Sequence, residues 1–369
     1  MKGEIVKQFE GQDIVVGGDG QCDSPGFNAK NLCYFMVEVD SNYILDIEVL
    51  DKRHVGLIST NMEKEAVNRS MDRLQKEVKV VELVTDASTS VKAFLENEYP
   101  DVIHSLDVWH KSKSIKKCLD KLGKPKAMKK VKDWAPHIIR HFWHCSSSCR
   151  QDNETSDQEA LKVMKDKWIG LLHHICNEHE WLEGRQCDHE EDEHDEHLAW
   201  FGRRDKDYQE LQKIILNPEL LASFKYYTRF RHTGGIECAN SLGLVYTPKR
   251  TPFRYSAYKA RRQLAAIDWN FYQNLQPAKT KCGDEISTRK YNPRTRQWDL
   301  KTVKVQEEYG YIPLLMAKII KRRVDDDSIG GVTRAVDLNA SDPALISPTI
   351  AHIPPPSTKD IVSRSRFNK

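Results

Sequence analysis

No apolar run in this 369-residue chain approaches the roughly 20 residues that a membrane-spanning helix needs, and Met1-Lys2-Gly3-Glu4 opens no apolar leader. Charge of one sign is also missing in the sum, since the net charge is only +3. That excludes a uniformly basic or acidic polymer-binding chain, and it directs attention to where the charges cluster. The nine cysteines are unevenly spaced and interleaved with histidines. Such spacing excludes a disulfide framework and suits a reducing compartment with metal-bound or free thiols. There is no internal repeat. Hydrophobic residues at 39% and charged residues at 30% leave a chain long enough for one large core or two ordinary ones.

Carboxylates at strand ends are the strongest positive signal. Ile14-Val15-Val16-Gly17-Gly18-Asp19-Gly20-Gln21-Cys22-Asp23-Ser24-Pro25-Gly26 reads as a β-branched strand that delivers Asp19 and breaks at glycines. Val80-Val81-Glu82-Leu83-Val84-Thr85-Asp86 repeats the design. Glu237 follows at the start of a helix, after Thr233-Gly234-Gly235. A hard divalent cation needs rigidly held oxygens of this kind. Taken singly, Asp19 reads as a turn residue, Asp86 as a helix N-cap and Glu237 as an acid that favours a helix dipole. Asp23 reads as a turn. Asp107 and His110 form a further pair at a strand end, and a capping role for Asp107 ranks slightly above an auxiliary one.

Periodicity places these residues in an α/β chain. Strands are expected at Asp13–Gly18, Leu32–Val39, Tyr43–Leu50, Val80–Thr85 and Val102–Val108, and helices at Lys64–Glu77 and Ser90–Glu98. Residues 111–230 read as helical and polar. A helix carrying Glu237 ends at Pro248, and Phe253–Tyr272 is amphipathic. From about 281 the pattern decays, so 281–369 is expected to be mostly irregular or disordered, with Pro354-Pro355-Pro356 near its end.

The residues from Gly18 to Gly26 resemble the signature of the Kolobok-like DDE transposases. The likeness runs on through Asn61-Met62-Glu63-Lys64-Glu65, Val84-Thr85-Asp86, Asp107-Val108-Trp109-His110, His232-Thr233-Gly234-Gly235-Ile236-Glu237 and Tyr246-Thr247-Pro248-Lys249-Arg250. Order and approximate spacing agree from about residue 14 to about 275; Gly235 departs, where relatives often have a larger residue. The resemblance implies an RNase H-like mixed sheet with flanking helices. Its first part would be 1–110, a mainly helical insertion domain would occupy 111–230, and core helices with the third acid would occupy 231–280. It further implies cutting and joining of DNA phosphodiesters with two Mg²⁺ or Mn²⁺ ions, Asp19 bridging them and Asp86 and Glu237 each completing one side. DNA would be the partner, with a homo-oligomer assembled on it, in the nucleus. A domesticated, non-catalytic DNA-binding or chromatin protein is the alternative, and a ribonuclease H acting on hybrids is a third reading. No zinc finger or helix-turn-helix pattern precedes the first strand, where members of the resembled family usually carry a site-recognition domain, so a fragment or a truncated gene is one open reading.

Two more features await placement. Lysines are dense from Lys111 to Lys132, including Lys116, Lys117, Lys129 and Lys130; Lys249, Arg250, Arg254, Lys259, Arg261 and Arg262 form a second basic group. Both are expected to track phosphates, against solvated helix faces. His141-x₃-Cys145, His174-x₄-His179 and Cys187-x-His189 carry the soft donors of a structural Zn²⁺ site. By the resemblance, Cys145, His179, Cys187 and His189 are the ligands, with His174 the alternate. His194 and His197 read as part of a solvated acidic loop.

Overall fold

The computed structural model describes the chain except for 1, 26–27, 151, 153, 182–183, 189–197, 274, 293–296, 307, 326–352, 354–355 and 365–369. His189, His194, His197 and most of the Pro354 run therefore lie outside the described residues. Among the described residues no helix is long and apolar enough to cross a membrane.

Five strands form one mixed sheet, β1 (Asp13–Cys22), β2 (Asn31–Glu38), β3 (Ile44–Asp51), β4 (Lys79–Thr85) and β5 (Ile103–Leu106), in the order β3-β2-β1-β4-β5. β1, β2 and β3 pair antiparallel, and β4 pairs parallel with β5. A mixed sheet of this order, with helices beside it, is compatible with an RNase H-like fold. The chain divides into two compact units, Met1–Val81 with Gly234–Lys369, and Glu82–Thr233.

In the first unit β2 is buried along its whole length, as expected of a central strand rich in Leu32, Tyr34, Phe35 and Val37. Each such side chain contributes roughly 1.5–3 kcal/mol by leaving water. Helices α2 (Asn61–Leu74), α9 (Gly234–Tyr246) and α10 (Tyr255–Tyr272) pack on β1–β3. Ile236, Ala239, Tyr255 and Tyr258 join Cys33, Phe35 and Val37 in one core. β1 does not break at its glycines but runs on to Cys22, so Asp19 lies inside the strand, opposite Phe35. The reason is close packing. A Cβ on Gly17 would come within 2.5 Å of Ile236 Cδ1, and one on Gly18 within 2.3 Å of Tyr34 Oη. The glycines are places where neighbours press on the strand.

The expectation of an irregular segment from 281 onward is corrected in part. β8 (Ser287–Asn292) and β9 (Gln297–Thr302) pair as a hairpin, and α11 (Tyr311–Asp325) and α12 (Thr358–Arg364) are helices. Their apolar residues are largely exposed, Leu300 and Val324 among them. This is why the pattern looked featureless: hardly any apolar face turns inward. Tyr311 is the exception, reaching the Tyr246 hydroxyl at 3.2 Å.

The second unit holds the end of β4, then α3 (Thr89–Glu98), β5, α4 (Val108–Leu122), α5 (Lys129–Ser147), α6 (Asp157–His174), the short strands β6 (Glu180–Trp181) and β7 (Arg185–Gln186), α7 (Lys206–Ile215) and α8 (Pro218–Ser223). Val108, Ile115, Trp134, Phe142, Trp168 and Phe224 are in its core. It begins at Glu82, ahead of the expected boundary at 111, because later residues grip the early ones. Arg231 holds the buried Glu82 through Nε at 3.0 Å and Nη2 at 2.8 Å, and Tyr226 donates to Glu96 at 2.8 Å.

Candidate functional site

In the first unit the period of two along β1 turns Gly17, Asp19 and Gln21 to one face. α9 meets that face with Ile236, Asn240 and Gly243, which are spaced at four and three and so share one side of the helix. Each contact is specific. Ile236 covers Gly17. Asn240 Nδ2 donates to Asp19 Oδ2 at 2.7 Å. Gly243 leaves room for Arg262 of α10, whose Nη2 donates to Gln21 Oε1 at 2.6 Å. Glu237 lies one turn before Asn240 and is half-buried, a neighbour at i,i+3 on the helix surface. An open cleft beside β1 is lined by Asp19, Gln21, Cys22, Ser24 and the exposed Lys249. Burial first, then Asp23, pushes the Cys22 thiol up to about 11, so it stays protonated and is no nucleophile at neutral pH. Asp23 is a turn residue, accepting from the backbone of Lys30 and Asn31 at 3.0 Å each.

Asp19 offers carboxylate oxygen at the cleft, and Glu237 carries another carboxylate one turn before Asn240 on α9. Hard carboxylate oxygens fit Mg²⁺ or Mn²⁺.

In the second unit Asp86, Asp107 and His110 bring ligand atoms within 4.8 Å of one another, close enough to hold a metal. His110 Nε2 stands 3.4 Å from Asp86 Oδ1. Asp107 is already committed. It is the N-cap of α4, Oδ1 accepting from Trp109 N at 2.6 Å and His110 N at 3.4 Å. Its Oδ2 accepts from Thr233 N at 2.9 Å and from the Thr233 hydroxyl. Four donors occupy its acceptor positions, so a cation here would draw on Asp86 and His110.

A second cluster in this unit joins His174, His179 and Cys187 within the same 4.8 Å limit. The β6–β7 hairpin explains it. His179 precedes one strand and Cys187 follows the other, and Cys187 N bonds His179 O at 2.9 Å. His174 ends α6, and its Nδ1 is 3.4 Å from Cys187 Sγ. Burial and then Asp188 push the Cys187 thiol up to about 11. Two imidazoles and a thiol are soft donors that fit Zn²⁺, which would displace that proton. The expected ligand Cys145 is not in this cluster. It points into the α5–α6 core, its Sγ 3.3 Å from His141 Nε2, and burial pushes its thiol far up. His174 takes the place expected of Cys145.

The basic residues divide. Lys117 and Lys129 are exposed, Lys116 pairs with Asp120 at 2.6 Å, and Lys130 pairs with Asp205 at 3.0 Å. Lys249, Arg250 and Arg261 are exposed, Arg261 over the Phe253 ring at 4.9 Å. Arg262 is corrected outright: it is fully buried between Gln21, Gly243 and the Tyr258 ring, and no phosphate can reach it. Sequence reading also passed over Asn240. A polar residue in the apolar stripe between Ile236 and Gly243 was the signal for it.

No protein-family model matches the chain, and no curated protein matches it.

Proposed function

We propose that the chain is a DDE transposase-like enzyme that cuts and joins DNA phosphodiesters. Asp19, Asp86 and Glu237 are the metal-holding carboxylates of this reading. The observation that carries it is the Asp19–Asn240 bond, which joins residues 221 apart in sequence and ties α9, the helix that bears Glu237, to the strand that bears Asp19. A carboxylate in mid-strand caps no helix, and the oxygen donors around it suit a hard cation. When bound, divalent ions activate the attacking oxygen and stabilise the leaving one. The chain's own residues do the rest. Lys249, at the cleft that Asp19 lines, attracts the phosphate backbone. Arg250 and Arg261 extend that charge and, with Lys117 and Lys129, give affinity that falls steeply with salt. His110 beside Asp86 is placed to hold that carboxylate or a proton. Residues 111–230 are read as an insertion domain stabilised by zinc at His174, His179 and Cys187. Nuclear location and assembly on DNA belong to the same reading.

The test is Mg²⁺- or Mn²⁺-dependent nicking and joining of duplex DNA by wild type, Asp19→Asn and Glu237→Gln. The expected result is activity in the wild type and a loss of about 10²–10³-fold in each variant, the scale of removing a group that acts on the transition state. Wild-type DNA binding with no nicking would leave the non-catalytic alternative in its place.

A further inference from the structure

On its face of β1 Asp19 has the bare Gly17 on one side and Gln21 on the other. What meets it is Asn240. That residue is 4% exposed, in a stripe of α9 whose other members, Ile236, Ala239 and Gly243, are apolar or bare. A buried amide costs free energy unless its hydrogen bonds are made, and Oδ1 of Asn240 makes none. A leucine would pack there without that cost. The bond that offsets it is Nδ2 to Asp19 Oδ2 at 2.7 Å. The amide orientation follows from chemistry, since an ionised carboxylate only accepts and the nitrogen must face it. Two residues along the same face the half-buried Gln21 accepts from the buried Arg262, whose Nε and Nη1 have no partner. A side chain that hydrogen-bonds a carboxylate from behind is how a protein orients a metal ligand.

We propose that Asn240 is a positioning residue for Asp19: its amide fixes the carboxylate in the orientation that takes up the divalent ion. The inference rests on the reading of Asp19 as a metal ligand. Asn240 itself touches neither substrate nor reacting atoms.

Direct Mn²⁺ binding, followed by electron paramagnetic resonance without DNA, tests it in the wild type, Asp19→Asn, Asn240→Leu and Asn240→Ala. Metal-free melting temperature is recorded for each. Asn240→Leu is expected to weaken Mn²⁺ binding about 10- to 100-fold, the range for removing an outer-shell partner of a ligand, while the melting temperature holds. A merely structural residue would lower the melting temperature and leave the affinity of the folded protein unchanged. If Asp19→Asn binds Mn²⁺ like the wild type, the ligand reading falls and takes this inference with it. If Asp19→Asn is weakened but both Asn240 variants are not, only the inference is overturned. Should neither variant fold, the wild type decides. The Asn240 side-chain amide resonance must shift on adding Mg²⁺ and must not do so in Asp19→Asn; a resonance indifferent to Mg²⁺ overturns the proposal.

Discussion

Asp19 and Asp107 look alike in the sequence, each an acid after an apolar strand, and the two units use them in opposite ways. Asp107 ends β5 and starts α4, and its oxygens take the orphan N–H groups of the helix start and both donors of Thr233. Asp19 sits inside β1, where the ladder already serves the backbone, and a side-chain amide holds its carboxylate. An acid at a strand–helix junction has structural work available to it. An acid in mid-strand has no helix start to cap, and that difference separates a cap from a candidate ligand.

The comparison breaks most readily at Asp107. Asp107→Ala removes a helix cap, worth about 1 kcal/mol, and strands buried Thr233 donors, about 1–3 kcal/mol more. A total loss of roughly 2–4 kcal/mol is expected in denaturant titration. A stability within 0.5 kcal/mol of wild type, on the scale of an ordinary surface change, would remove the cap assignment.

The metal clusters sharpen it next. Cys187→Ser is expected to release zinc from the purified protein and to melt the second unit at lower temperature, whereas Cys145→Ser keeps zinc stoichiometry. Equal loss from both would return Cys145 to the ligand set.

A further expected effect is on pH. Burial holds His104 and His141 down to about 4. The folded second unit therefore binds fewer protons than the unfolded chain between about pH 6.5 and 4, so stability falls as pH drops through that window and levels off below it. In the first unit burial raises Cys33 to about 12, so its contribution is lost only as pH rises beyond the ordinary thiol range. Tryptophan fluorescence at graded pH should show the acid loss, and its absence in His104→Gln/His141→Gln would assign it.

Much of this was legible. β-branched runs and the hairpin pattern gave β2 and β3, and the Thr233-Gly234-Gly235 break marked the start of α9. What could not be read shares one cause, namely contacts across long separations. That β1 continues through Gly17 and Gly18 depends on Ile236 and Tyr34 packing on them. The burial of Arg262 depends on Gly243 giving way. His174 replaces Cys145 beside Cys187 because a two-residue ladder turns the chain back. Charge counts could not tell an exposed Arg261 from its buried neighbour.

In the proposed function Asp19 holds a metal for DNA cleavage and Asp107 caps α4. Mg²⁺-dependent nicking by Asp19→Asn and Asp107→Asn, measured side by side at a temperature where both are folded, tests it most directly. Asp19→Asn is expected to lose about 10²–10³-fold at saturating Mg²⁺, and Asp107→Asn to keep activity within about tenfold. Retained nicking in Asp19→Asn, or an equal loss in both, would contradict it.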